Sequence, residues 1–156
     1  MSSAAEPVHA PQRTVMLAVA DASLAERIAR AIPMSGEHRQ TAIASSLLHL
    51  RLLASRSAPE AILIDGYLVA CDPLADALRP FTAMAPVILL APAERQAEAA
   101  QLVADGEVEF VARTGDFVPI DAQRLQTVVD LAVRLRETIR RLSDSWERRP
   151  NSLTPA

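Results

Sequence analysis

The chain has 156 residues, of which half are hydrophobic and 22% are charged, and its formal net charge is −3 at pH 7. This composition is typical of one soluble globular domain and excludes an intrinsically disordered chain. No apolar run approaches the roughly 20 residues that a membrane-spanning helix needs, and the acidic balance gives no reason to expect nucleic-acid binding.

The residue types also exclude several kinds of chemistry. A single cysteine, Cys71, rules out an internal disulfide and indicates a reducing compartment, so we expect a cytoplasmic protein. All 16 basic residues are arginine, which excludes a Schiff-base lysine and a P-loop lysine. The four glycines form neither a dinucleotide-binding loop nor a Walker loop, and no Ser-His-Asp arrangement is legible. We therefore do not expect an enzyme.

Five short apolar runs alternate with helical patterns along the chain. The predicted strands are residues 14–20, 40–44, 61–64, 86–91 and 108–112. Residues 14–20, 61–64 and 86–91 are short apolar runs, which is typical of strands that are buried on both faces, whereas residues 40–44 are a weak second strand. The alternation predicts the α/β class, with a doubly wound parallel sheet and helices on both of its faces.

The helical patterns between these strands have start and stop signals. Ser23 can cap the first helix, and Ser45 or Ser46 the second, in which Leu48, Leu52 and Leu53 are predicted to share one side. The remaining predicted helices are residues 73–84, broken by Pro80; residues 94–104, with Glu94 and Glu98 on a solvated face and a stop at Asp105–Gly106; and a long last helix capped by Asp121.

Two acids follow predicted strands: Asp21 comes after the first strand and Asp65 after the third. In doubly wound sheets the functional crevice lies beyond the carboxyl ends of the strands. We therefore expect both carboxylates at one edge of the sheet. For Asp21 a second interpretation stays open, in which its side chain only caps the following helix.

Residues 59–65, with the sequence Pro-Glu-Ala-Ile-Leu-Ile-Asp, resemble the third strand of the receiver domains of two-component response regulators. Residues 86–91 are similar to the fourth strand of that family and residues 106–113 to the fifth, and the resemblance covers about residues 13–139. It implies a flavodoxin-like, CheY-like sheet of order 2-1-3-4-5 with Asp65 as phosphoacceptor. It also implies a magnesium ion held by Asp21, Asp65 and the backbone carbonyl of Tyr67.

The chain departs from this family at most of the positions that handle the phosphoryl group. Ala20 replaces one residue of the acidic pair, Ala91 replaces the hydroxyl residue, and Arg113 replaces the lysine. Phe110 matches the aromatic switch position, although its usual hydroxyl partner is missing. One carboxylate fewer weakens a site for a hard cation, and losing a donor to a developing oxyanion costs about 3 kcal/mol.

Two interpretations of Asp65 follow from these departures. In the first, the domain is an atypical pseudo-receiver that needs no cofactor, Asp65 pairs with Arg113, and the protein acts by binding partners. In the second, Asp65 accepts a phosphoryl group with Mg²⁺ at a weakened site. Arg113 fits either interpretation, because a guanidinium group matches both carboxylate and phosphate geometry.

A heptad stripe runs along the predicted last helix. Its apolar residues alternate at spacings of three and four: Leu125, Val128, Ala132, Leu135, Ile139, Leu142 and Trp146. From residue 121 to residue 148 such a helix is about 42 Å long. We expect its first part to pack on the domain, and residues 135–146 to form a parallel coiled coil between two copies, because an exposed apolar stripe otherwise has no purpose.

The sequence thus predicts a leader at residues 1–12, a receiver-like domain at 13–133, a helical extension at 134–148, and a tail or linker stub at 149–156. We expect a homodimer that contacts a histidine kinase or an output protein, without nucleic-acid binding or membrane insertion. By family resemblance, the chain could also be the N-terminal regulatory receiver of a larger protein, for instance one in cyclic di-GMP signalling.

Overall fold

The computed structural model describes residues 13–33, 39–69, 72–113 and 122–148. Within these ranges, five strands alternate with five helices. The strands are β1 (Arg13–Ala18), β2 (Arg39–Ala44), β3 (Ala61–Asp65), β4 (Val87–Ala91) and β5 (Phe110–Arg113). The helices are α1 (Ala22–Ala31), α2 (Leu47–Arg56), α3 (Leu74–Thr82), α4 (Gln96–Ala104) and α5 (Ala122–Glu147).

The five strands form one parallel sheet in the order β2-β1-β3-β4-β5. Every residue of β3 and β4 is buried, as expected of central strands covered on both faces. The predicted α/β class and the strand order 2-1-3-4-5 are therefore confirmed. No helix within the described residues is long and apolar enough to cross a bilayer.

The core is divided by the sheet into two layers. One face carries α1 and α5, whose residues Ile28 and Val129 pack on the sheet. The opposite face carries α2, α3 and α4, through Leu50, Leu78 and Leu102. Because all strands run the same way, their carboxyl ends meet at one edge, and the loops that follow them form the candidate site.

The predicted apolar side of α2 is not the side that packs on the core. Leu50 and Ala54 face the core, whereas Leu48 and Leu52 have 70% and 53% of their surfaces exposed, and Leu53 is half-buried. Five of the ten residues of α2 are leucine, so the apolar pattern alone does not define a face. The helix starts after Ser46, whose hydroxyl accepts a hydrogen bond from the His49 N–H, and it packs on the sheet through Leu50 and Ala54.

Two other local predictions also need correction. Helix α1 is capped by Asp21 rather than by Ser23. Pro80 does not break α3, which continues to Thr82. A proline inside a helix removes one backbone hydrogen bond, and here only two helical residues follow it. The predicted stop of α4 at Gly106 is confirmed, since this glycine adopts a φ of 72° and its N–H donates to the Val103 carbonyl.

A buried ion-pair network ties the amino-terminal edge of the sheet to α5. Arg39, only 5% exposed, donates to both carboxylate oxygens of Glu60 at 3.0 and 2.9 Å and lies 2.7 Å from Asp130. Burial lowers the pKa of Arg39, but the hydrogen bonds and charges of Glu60 and Asp130 outweigh this effect and raise the pKa above its usual value. The network therefore joins the start of β2, the residue before β3 and the middle of α5.

A second ionic link holds α5 farther along its length. The Arg136 side chain donates to Glu109 at 2.8 Å and to the backbone carbonyls of Thr82 and Ala85 at 2.6 and 2.9 Å. The Glu109 side chain is only 4% exposed and also accepts the N–H of Val87, the first residue of β4, at 2.7 Å. Beyond Arg136 every described residue of α5 is exposed.

We predict that Arg39→Met lowers the free energy of unfolding by about 2–4 kcal/mol, because it leaves two acids without their buried cation. The matched control is Arg79→Met, which removes an exposed pair with Asp76 and should cost at most about 0.5 kcal/mol. Urea unfolding followed by circular dichroism measures both values. Equal effects of the two substitutions would show that the network does not stabilise the fold.

Candidate functional site

Asp65 lies at the end of β3 and is 2% exposed. One of its carboxylate oxygens accepts the N–H of Ala20 at 3.1 Å, and the other accepts the N–H of Tyr67 at 3.0 Å. These two bonds satisfy a buried polar group that would otherwise be costly. An incoming phosphoryl group would have to reach a carboxylate oxygen of Asp65 that is nearly inaccessible and already hydrogen-bonded.

Asp21 follows β1 at the same edge of the sheet, but its side chain has a structural partner. Its Oδ1 atom accepts the N–H groups of Ser23 at 2.9 Å and Leu24 at 3.3 Å, which makes Asp21 the N-cap of α1. The second interpretation of Asp21, as a helix cap, therefore describes its contacts in the structure. The hydrogen bond from Ala20 to Asp65 holds the loop that carries Asp21 close to the end of β3.

The end of β4 has no hydroxyl group to offer a ligand. Ala91 is 1% exposed, and its carbonyl accepts the side-chain amide of Gln96 at 2.8 Å. Pro92 is buried, and a Cβ atom placed on Gly66 would lie 2.8 Å from its Cδ atom. The proline ring thus fills the space beside the residue that follows Asp65, and only glycine fits there.

Arg113 and Phe110 mark the two ends of β5. Arg113 pairs in register with Ala91 and is exposed at the carboxyl edge, two strands away from Asp65. Two strand spacings amount to about 9.6 Å between backbones, and the predicted pairing of Arg113 with Asp65 stays a prediction. Phe110 is half-buried at the other end of the strand and packs against the layer that contains α1 and α5.

The residues at this edge do not fit a tight site for a divalent cation. Both oxygens of Asp65 and one oxygen of Asp21 already accept backbone N–H groups. Within the described residues, no three acidic, histidine or cysteine side chains form a group that could hold a metal ion. Hard cations need several oxygen ligands, so weak binding of Mg²⁺ through Asp21, Asp65 and the Tyr67 carbonyl stays a prediction.

A clamp formed by the side chain of Arg95 joins two loops at this edge and was not predicted from the sequence. Arg95, in the loop after β4, donates to the carbonyls of Val69 and Asp72 at 3.0 and 2.7 Å, and these carbonyls belong to the segment that follows β3. The same guanidinium donates to Glu98 at 3.1 Å. Glu98 also accepts the N–H of Leu74 at 2.7 Å, which caps α3 from a distance.

Glu98 is therefore not simply part of a solvated helix face, as its sequence context indicated. The sequence did hold one signal: Pro73 precedes α3 and offers no side-chain cap, so the first N–H groups of that helix need an acceptor from elsewhere. The Leu74 N–H lowers the pKa of Glu98, burial raises it, and Arg95 lowers it further, so the net pKa lies below its usual value.

The predicted stripe on α5 divides into two parts. Leu125, Val128 and Ala132 are buried, which confirms that the first part packs on the domain. The second part is exposed: Leu135 by 43%, Ile139 by 44%, Leu142 by 57% and Trp146 by 69%. Leu131 is also 51% exposed. The exposed part is a second candidate site, because an apolar stripe of this length on a surface helix is typical of an interaction surface.

No family model matches the sequence, and no curated protein matches it. Solved structures do resemble the fold. A structure described as an adenylate cyclase from Rhodopirellula baltica superposes with a TM-score of 0.68 at 10% identity, over 88% of this chain and 99% of that one. A response regulator receiver domain protein from Clostridium thermocellum gives 0.64 at 17% identity, over 81% and 98% of the two chains.

A third similar structure, NtrX from Brucella abortus in complex with ADP, gives a TM-score of 0.66 at 18% identity and matches 86% of this chain. The matched region spans only 29% of NtrX. At these identities the comparisons define a fold, and that fold is the receiver fold. This agrees with the resemblance carried by residues 59–65, 86–91 and 106–113.

We predict that Glu98→Gln lowers the free energy of unfolding at pH 7 and lowers it by a smaller amount at acidic pH. A carboxylate with a depressed pKa stabilises the fold above its unfolded value of about 4.5, and this contribution is lost as the pH falls through the folded pKa. Urea unfolding of both proteins at pH 7 and at about pH 3 measures the difference. A difference of the same size at both pH values would contradict the prediction.

Proposed function

We propose that this chain is a receiver-like regulatory domain of two-component-type signalling, located in the cytoplasm, that acts mainly by binding protein partners. The receiver fold supports the signalling role, and the contacts of Asp65 support the binding role. A carboxylate that serves as phosphoacceptor needs an accessible oxygen, a cation and donors for the phosphoryl oxygens. Here the carboxylate is 2% exposed and hydrogen-bonded at both oxygens.

The loops around Asp65 also favour a fixed state over a switch. In receivers the hydroxyl at the end of the fourth strand couples phosphorylation to a loop shift. Here Ala91 has no hydroxyl, and Arg95 instead holds the loop after β4 against the carbonyls of Val69 and Asp72. A loop that is already anchored by charged hydrogen bonds needs no phosphoryl group to hold it. We infer that the domain offers its partner surfaces constitutively.

The same proposal assigns the exposed part of α5 to self-association. Position by position, Leu135 and Leu142 are the d residues of a heptad, and Ile139 and Trp146 are the a residues. The flanking e and g positions in this part are Arg136, Thr138, Ser143 and Ser145. Arg136 is already bound to Glu109, so no like-charged pair faces another across the seam of a parallel two-stranded coil.

The charged residues of this part of α5 lie on the side away from the seam. Arg140 and Arg141 occupy b and c positions, and Glu137 and Asp144 occupy f positions, with opposite charges one turn apart. Charges that pair within one helix keep its outer face solvated and leave the apolar stripe for another helix. The partner that we propose for this stripe is α5 of a second copy, which makes the protein a homodimer.

A second candidate function keeps Asp65 as a working phosphoacceptor with Mg²⁺. It is favoured by the placement of Asp65 and Arg113 at the same edge of the sheet and by the N–H of Tyr67, which already points at the carboxylate. If Asp65 is a working phosphoacceptor, the partner is a histidine kinase. If the protein acts mainly by binding, the partner is an output protein, or an output domain of a longer chain such as a cyclic di-GMP signalling protein. In NtrX, the region that matches this fold is 29% of a longer chain.

We predict that Ile139→Ala with Leu142→Ala raises the dimer dissociation constant at least about tenfold, because each truncation removes a buried apolar contact from both helices. The matched control is Arg140→Ala with Arg141→Ala, the two neighbouring residues on the outer side, which should leave association nearly unchanged. Sedimentation equilibrium of the full chain measures both. A wild-type protein that stays monomeric at high concentration would overturn the dimer proposal.

Phosphorylation is tested by intact mass after incubation with a small-molecule phosphodonor, with and without magnesium. We expect no phosphoryl adduct on the wild-type protein and no difference from Asp65→Asn. A magnesium-dependent adduct on wild type that disappears in Asp65→Asn would favour the second candidate function. Circular dichroism of both proteins confirms that any difference does not come from unfolding.

A further inference from the structure

Helix α2 exposes an apolar surface that the self-association of α5 does not use. Leu48 and Leu52 lie one turn apart on its outer side and are 70% and 53% exposed, while Leu50 and Ala54 hold the helix to the core. The only charged residues of α2, Arg51 and Arg56, are both exposed as well. We name Leu48, Leu52, Arg51 and Arg56 the α2 surface, which is apolar at its centre and basic around it.

A second surface feature, a groove, lies between α4 and β5. Its volume is about 420 Å³, and it is lined by Gln96, Ala100, Val103, Glu109, Phe110 and Val111. Val103 is 42% exposed, so the apolar lining is open to solvent. A volume of this size is large enough to take apolar side chains from a partner. We name this feature the α4–β5 groove.

The chain around the α4–β5 groove is acidic. Asp105 and Glu107 follow α4 and are exposed, and the carboxyl end of α4 adds the partial negative charge of a helix terminus. Two arginines lie at the other end of the groove, where α4 begins and β5 ends. Arg95 is bound to Glu98 and to backbone carbonyls, and Arg113 is exposed. The α4–β5 groove therefore matches the α2 surface in hydropathy, and it opposes that surface in charge at the end that carries Asp105 and Glu107.

We propose that the α2 surface of one copy docks into the α4–β5 groove of a second copy. Charge complementarity selects this occupant: Leu48 and Leu52 enter the apolar lining, and Arg51 and Arg56 face Asp105 and Glu107. The docking differs from the proposed pairing of α5, because α5 lies on the opposite face of the sheet from α2 and α4.

Because of the fold, the α2 surface of one molecule cannot dock into the α4–β5 groove of the same molecule. Strand β2, beside α2, is one outer strand of the sheet, and β5, beside the groove, is the other. The two matching surfaces therefore lie at opposite edges, and each copy has one surface free after it docks through the other. Such a head-to-tail contact extends into rings or open chains. Together with pairing through α5, it would cross-link dimers into larger assemblies.

The test uses the full chain carrying Ile139→Ala and Leu142→Ala, so that association through α5 does not contribute. Sedimentation velocity of this parent should show self-association that increases with concentration and weakens at least about tenfold at high salt, as expected for complementary charges. Adding Leu48→Ser with Leu52→Ser, or separately Val103→Arg, should give monomers. Both sets of changes lie at exposed positions, and circular dichroism verifies folding.

The decisive measurement mixes these two variants. The variant with Leu48→Ser and Leu52→Ser retains an intact groove, and the variant with Val103→Arg retains an intact α2 surface. An equimolar mixture should therefore form a one-to-one complex that grows no further. The matched control is Ile43→Ser, an exposed apolar residue on β2 outside both surfaces, which should associate like the parent. A monomeric parent, variants that associate like the parent, or a mixture that stays monomeric would each overturn this docking. None of these results would bear on the pairing of α5.

Discussion

The central constraint on this molecule is that its parallel sheet is buried on both faces. Every side chain of β3 and β4 is enclosed by helices, so the strands have no surface on which to carry chemistry. In these two strands the one polar residue, Asp65, therefore stands at the strand end, where loops reach solvent. One edge holds Asp65, Asp21 and Arg113, and the other holds the ion pairs of Arg39 and Arg136 with their acids.

The ion pairs at the amino-terminal edge determine how α5 is presented. Arg39 contacts Asp130, and Arg136 contacts Glu109, so α5 is fixed to the sheet at two points separated by about one and a half turns. Beyond the second point every described residue of the helix is exposed, including those of its apolar stripe. A rigid attachment gives the exposed residues a defined direction, which reduces the ordering cost of pairing with a second helix.

The carboxyl edge has the opposite property, because its groups are occupied by one another. Backbone N–H groups hold Asp65, a helix terminus holds Asp21, and Arg95 joins the loops after β3 and β4. A site that responds to a ligand needs groups whose partners change when the ligand arrives. In this chain the polar groups at the edge are largely satisfied within the protein. The arrangement supports our proposal that this receiver fold acts through fixed interaction surfaces.

The sequence by itself determined the class of the fold, the strand order through its family resemblance, and the burial of the first half of α5. Continuous apolar runs and a heptad repeat are local patterns, and each has few structural solutions. Only the tertiary structure decided which leucines of α2 point outward, because a helix with five leucines has no single apolar face. It also decided that Glu98 caps α3 and that Asp65 is enclosed. These contacts join residues far apart in the chain, and they depend on how loops meet after the sheet has formed.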